Sequence, residues 1–151
     1  MKLLHLAAVG VLAVASGSLA LAGVQARTVN LTAGDDMKYS VATIEAKPGE
    51  SLHVVLKNTG TMPKMAAAHN FVLLKAGTKP EAVATASMSA AATGYIPDSL
   101  KAQILAHTNL AGPNETVDVT FTAPKAPGSY PFMCTFPGHF ASGMKGTLTV
   151  K

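Results

Sequence analysis

Cysteine is nearly absent from this 151-residue chain: the single one is Cys134. A lone cysteine makes no intramolecular disulfide and leaves a Cys-rich zinc or iron–sulfur site without its further thiolates. Charge is sparse too, at 13% of residues, and no like-charge run exceeds Asp35-Asp36. A net charge of +4 without clustered Lys and Arg among aromatics excludes a nucleic-acid surface. Long apolar runs are also missing, because Ser16, Gly17 and Ser18 interrupt the N-terminal one before it reaches the ~20 residues of a spanning helix. No cysteine follows that segment, which argues against a lipidated anchor, and the sequence contains no repeat or low-complexity tract.

What is present begins with an export signal over residues 1–26. Lys2 and His5 give a weakly basic start, residues 3–14 are almost entirely apolar, and Val24-Gln25-Ala26 before Arg27 satisfies the small-x-small rule for cleavage, with cleavage after Ala22 as the alternative. Residues 27–151 are then one domain, long enough to bury a core without staples. Removal of the leader takes Lys2 with it, so 11 Lys and Arg face 8 Asp and Glu, a balance of +3. Such a field biases encounters only weakly, and the sequence predicts an exported or periplasmic monomer without stable membrane insertion.

Short alternating or β-branched stretches closed by turn residues predict strands over 28–31, 39–44, 52–56, 70–74, 116–121, 129–134 and 146–150. Period two puts Leu52, Val54 and Leu56 on one face of their strand and His53 and Val55 on the other. Turns at Lys47-Pro48-Gly49-Glu50, Asn58-Thr59-Gly60 and Gly112-Pro113-Asn114 separate these runs. Many short strands with such turns imply an all-β Greek-key sandwich of about eight strands. The Ala-rich residues 80–103 lack alternation and read as a short helical crossover insert, broken at Gly94 and Pro97.

Cys134, His139 and Met144 follow one another at equal intervals of five. A thiolate, an imidazole and a thioether on one loop suit a copper ion, whose trigonal His2Cys site carries a weak axial Met. The second imidazole must come from elsewhere. His69 is the best candidate, since Ala66-Ala67-Ala68-His69-Asn70 ends a loop where an apolar strand starts. His53 reads as a surface histidine, and His107 has no assigned role. Phe136 is expected to donate its backbone N–H to the sulfur, Pro137 to stiffen the turn, and Asn70 to tie the His69 segment to the Cys134-Thr135 loop. A catalytic Cys–His pair would need a third orienting group and a polar cleft, whereas this loop is apolar.

The segments Ala68-His69-Asn70-Phe71-Val72-Leu73, Ile104-Leu105-Ala106-His107-Thr108, Cys134-Thr135-Phe136-Pro137-Gly138-His139 and Met144-Lys145-Gly146-Thr147-Leu148 resemble cupredoxins of the azurin and auracyanin kind. The resemblance covers most of residues 27–151 and is most specific at the last loop. It implies one copper ion with His69, Cys134 and His139 in plane, Met144 as the weak axial ligand, and a carbonyl approach on the opposite side from Ala68, where azurins have glycine. Four residues, 140–143, separate His139 from Met144, as in auracyanin; azurins have three and carry a disulfide that this chain cannot form.

The family role is single-electron shuttling between Cu(I) and Cu(II), without enzymatic turnover, through transient contacts with redox proteins such as a cytochrome or a terminal reductase or oxidase. His139 is expected to reach the surface as the electron portal, within an apolar docking patch of Met37, Met62, Pro63, Ala67, Pro137 and Phe140. A copper chaperone or buffer is the alternative, kept because Met62, Met65 and Met88 add thioethers. One Cys and no His-x-His pair exclude a dinuclear copper site and make a multicopper oxidase a poor reading.

Overall fold

The computed structural model describes residues 25–151; the predicted leader lies almost wholly outside them. Eight strands form two sheets: β1 (Arg27–Ala33), β2 (Thr43–Ala46), β3 (Ser51–Asn58), β4 (Val72–Leu74), β5 (Ile104–His107), β6 (Thr116–Thr122), β7 (Gly128–Met133) and β8 (Lys145–Val150). One sheet has the order β1-β3-β6 and the other β2-β8-β7-β4-β5. The β1–β3 and β2–β8 pairs are parallel and the remaining pairs antiparallel. This is a Greek-key β-sandwich.

Alternation in β3 buries Leu52, Val54 and Leu56 between the sheets, which hold Leu31, Phe71, Leu73, Phe132 and Leu148 in the same core. Strand β4 breaks the alternation and is buried on both faces. Its outer face is covered by the crossover: helix α1 (Pro80–Ser87) and the 3-10 turns Ala91–Thr93 and Asp98–Gln103 pack Val83 and Ile96 against Val72, Leu74 and Met133. Burial on both sides explains a short continuous apolar run where alternation would otherwise mark the strand.

Two strand starts differ from the sequence reading, and one strand, β5, was not predicted. The stretch 39–44 makes only the isolated bridge Ala33↔Tyr39, and strand β2 starts at Thr43, because residues 40–42 carry the chain from one sheet to the other. The stretch 70–74 becomes a strand only at Val72, since His69 bridges to Ala111 instead. Strand β5 directly follows the crossover; its four residues at the sheet edge are too few to show a period. His53 is half-buried rather than free on the surface, its Nε2 lying 3.0 Å from the Asp118 carboxylate. His107 is exposed, with Nδ1 at 3.2 Å from the Thr108 carbonyl.

Candidate metal centre

One end of the sandwich gathers three chain segments: the loop before β4, the residues after β5, and the loop between β7 and β8. His69 is fixed by the first two, donating its N–H to the Ala111 carbonyl at 3.0 Å and accepting the Ala111 N–H at 2.8 Å. The buried Asn58 adds its amide to the Ala111 carbonyl at 3.0 Å. Cys134 is the first residue beyond β7. Its N–H donates to the Met144 carbonyl at 3.1 Å, while the Met144 N–H donates to the His139 carbonyl at 3.0 Å. Gly138 and Gly143, at φ 84° and 93°, allow the left-handed turns that fold this loop back on itself.

These constraints bring His69 Nδ1 to 3.2 Å from His139 Nδ1, and His139 Nδ1 to 3.5 Å from Cys134 Sγ. The donor atoms of His69, Cys134 and His139 all lie within 4.8 Å of one another. Metal–nitrogen and metal–sulfur bonds of about 2.0 and 2.3 Å, opened at roughly trigonal angles, separate their donor atoms by roughly 3.2–3.7 Å. The two close edges of the triangle therefore fit an ion at its centre. Met144 is fully buried and shares the core cluster of Cys134, Phe136 and Ala68. The Ala68 carbonyl lies 4.0 Å from Sγ.

Burial governs the electrostatics. It pushes the Cys134 thiol up to about 11, although the backbone N–H groups of Asn70 and Phe136 face the sulfur and act the other way. Burial, then the neighbouring His69, holds His139 down to about 4. Burial also lowers His69, against the opposing pull of the Gly34 carbonyl and of Asp35 and Asp36. That carbonyl falls short of good geometry: His69 Nε2 is a buried polar side-chain atom without a hydrogen-bond partner among the described residues. The copper-free triangle is thus a thiol and two neutral rings, a donor set that can stay dry at modest cost. Its soft sulfur, two imidazoles and nearby thioether match copper rather than a hard cation.

Around the triangle, Asn70 Nδ2 donates to Thr135 Oγ1 at 2.8 Å and Asn70 Oδ1 accepts the Thr135 N–H at 2.9 Å. The Phe136 ring packs on the His139 ring at 4.8 Å between centroids. His139 is therefore only 3% exposed, which corrects the expectation that it reaches the surface: Phe136 and the folded loop cover it. Ala67 is buried at 6% and drops out of the expected docking patch. Met62, Pro63 and Pro137 are exposed, while Met37 and Phe140 are half-buried, Phe140 beneath the Lys145 ammonium at 4.8 Å.

The sequence reading missed several supports. Tyr39, fully surrounded by core, donates its hydroxyl to the Asn70 carbonyl at 2.5 Å. Ala111 and Asn58 hold His69 in place, and Lys38 donates its ammonium to the Ser142 carbonyl in the metal loop. Only the Asn58-Thr59-Gly60 turn was legible as a local feature; these tertiary pairings carry no sequence signal.

Residues 26–151 match the family of copper binding proteins described as plastocyanin/azurin. Azurin of Pseudomonas fluorescens biotype C is 39% identical over 127 residues, covering 82% of this chain and 97% of that protein. Auracyanin-A of Chloroflexus aurantiacus is 37% identical over 119 residues, covering 78% of this chain and 69% of its own length. The solved structure of that auracyanin A, a "blue" copper protein, superposes with a TM-score of 0.74 at 35% identity, covering 84% of this chain and all of that one. With this fold and this donor set, the chain belongs to the plastocyanin/azurin family of copper-binding proteins.

Proposed function

We propose that the protein is a periplasmic one-electron carrier, with residues 1–26 as its cleaved export leader and residues 27–151 as a monomeric cupredoxin domain. The observation that carries this reading is the buried triangle, with Nδ1–Nδ1 and Sγ–Nδ1 edges of 3.2 and 3.5 Å. In it, His69 Nδ1, Cys134 Sγ and His139 Nδ1 would hold the copper ion, with the buried Met144 thioether as a further, weaker ligand and the Ala68 carbonyl 4.0 Å from Sγ. Copper, when bound there, supplies a one-electron couple between its cuprous and cupric states.

The chain's own residues keep the rearrangement between those states small. The Cys134–Met144–His139 backbone bonds and the Asn70–Thr135 pair hold ligands from two segments in one geometry. Asn70 and Phe136 direct N–H groups at the sulfur, withdrawing electron density from it. Ligands with exposures of 0–3% keep bulk water from the centre, which favours a carrier over an enzyme. The Cys134–His139 contact is no nucleophile pair either, because a thiol pushed up to about 11 is the reverse of an activated one.

A copper chaperone or buffer is the second reading, since Met62, Met65 and Met88 are 45%, 93% and 61% exposed and available to soft ions. Rigid, dry ligands oppose ready release and favour the carrier. The test is the visible spectrum and cyclic redox titration of the copper-loaded protein beside Cys134→Ser. An intense thiolate-to-copper band, lost in the variant, with copper retained through repeated cycles, is expected. A native protein without that band would overturn the reading, and copper lost on reduction would favour the chaperone.

A further inference from the structure

Tyr95 occupies a backbone position that a bulky residue rarely takes. Its φ is 63°, directly after Gly94 at 66°, in the left-handed region that disfavours L side chains. Such a conformation persists only where its surroundings hold it. Here the Tyr95 N–H donates to the Ala90 carbonyl at 2.8 Å, and the ring stands edge-on to Phe136, with centroids 5.0 Å apart and planes at 65°. Phe136 in turn packs on His139 at 4.8 Å and directs its N–H at the Cys134 sulfur.

The exposures rise along this path: His139 3%, Phe136 8%, and Tyr95 half-buried. The Tyr95 hydroxyl has no partner among the described residues and is not a sealed atom, so it opens to solvent. An unbroken aromatic contact therefore runs from a covered ligand to the crossover. Electronic coupling falls much more steeply across a gap than through touching groups.

We propose that Tyr95 is a second electron port, serving one-electron donors or acceptors that approach on the crossover face. The inference rests on the carrier reading. In the oxidising direction, one electron leaves the cuprous centre, passes by way of Phe136 and Tyr95, and reduces the oxidant by one. No proton moves, because the Tyr95 ring supplies contact and is not itself oxidised.

The test attaches a photo-oxidant through Ser99→Cys, an exposed position on the 3-10 turn that follows Tyr95; the native Cys134 is fully buried and stays unlabelled. Flash-triggered oxidation of the cuprous protein is timed with Tyr95, Tyr95→Phe and Tyr95→Leu. The same label at Lys64→Cys serves as control. Tyr95→Leu should slow transfer from position 99 by about tenfold and Tyr95→Phe by less than about twofold, with the control rate steady. The thiolate-to-copper band and the reduction potential should stay the same in all three.

Slowing of about threefold or less in Tyr95→Leu overturns the port, as does a shifted band or potential, which would make the ring a packing element. Absence of the band from the native protein would instead defeat the carrier reading, so the two failures are distinct.

Discussion

The Met144 carbonyl accepts the Cys134 N–H at 3.1 Å, and the Met144 amide returns a bond to the His139 carbonyl at 3.0 Å. The backbone of this residue thus fixes two other proposed ligands whatever its side chain does. Met144→Leu preserves buried volume and should cost less than about 1.5 kcal/mol. It should keep the thiolate-to-copper band, set by Cys134 and the two rings, while raising the reduction potential, since an apolar group stabilises the cupric state less than a thioether. Voltammetry beside denaturant unfolding separates the effects; an unchanged potential would remove Met144 from the ligand set.

Asn70 meets Thr135 through both atoms of its amide and Tyr39 through its carbonyl. Asn70→Ala leaves the buried Thr135 N–H and hydroxyl without these partners, costing roughly 2–6 kcal/mol at about 1–3 kcal/mol for each orphaned group. Tyr39→Phe retains the edge contact with Phe132 at 5.4 Å and loses only the hydroxyl, so roughly 1–3 kcal/mol is expected. Both should lower the potential, because a loosened Asn70 backbone donates less well to the sulfur. Thermal unfolding and voltammetry of both variants check this, and an Asn70→Ala protein with native potential would detach the amide from the site's tuning.

Copper loading should release a single proton over the neutral range, because the Cys134 thiol, pushed up to about 11, is protonated there while His139, held down to about 4, is already neutral. Titration calorimetry in buffers of different ionisation enthalpy counts that proton; a count of zero would mean a preformed thiolate. Stability of the copper-free protein follows from the same rings. His139 falls from an ordinary 6.5 to about 4 on folding, so the unfolded chain binds protons first as pH drops. The contribution of this ring is then full above about 6.5, declines down to about 4, and levels off below. His69 is lowered in the same direction. Melting temperatures across that window test the sign.

Much of this was legible because chemistry and period were both local. The Cys134, His139 and Met144 spacing sits in one loop, and β3 declares its buried face by alternation. What was hidden depended on distant partners. Strand β5 has four residues at a sheet edge and no period; β4 lost its alternation when α1 covered its outer face. His139 was expected at the surface from its loop, but a loop that folds over Phe136 buries what it carries. Tyr95 follows a glycine that announces a turn, yet nothing in the sequence says that the ring returns to the metal loop.

The proposed docking patch, reduced by the burial of Ala67, would rest on exposed Met62, Pro63 and Pro137 beside half-buried Met37 and Phe140. Met62, 45% exposed, is free to change without disturbing a ligand, and its amide is tethered only weakly to Asp35 at 3.4 Å. Met62→Lys places a hydrated charge where a brief, dry contact is needed, on a chain that is already net positive. Self-exchange between two copies should therefore slow by about threefold or more at low ionic strength and recover partly with salt, as screening reduces the repulsion. The visible band should not change. Self-exchange measured by NMR line broadening at two salt concentrations decides it. An unaltered rate at both would move the docking surface elsewhere, and the Tyr95 face would be the next to test by Tyr95→Lys in the same assay.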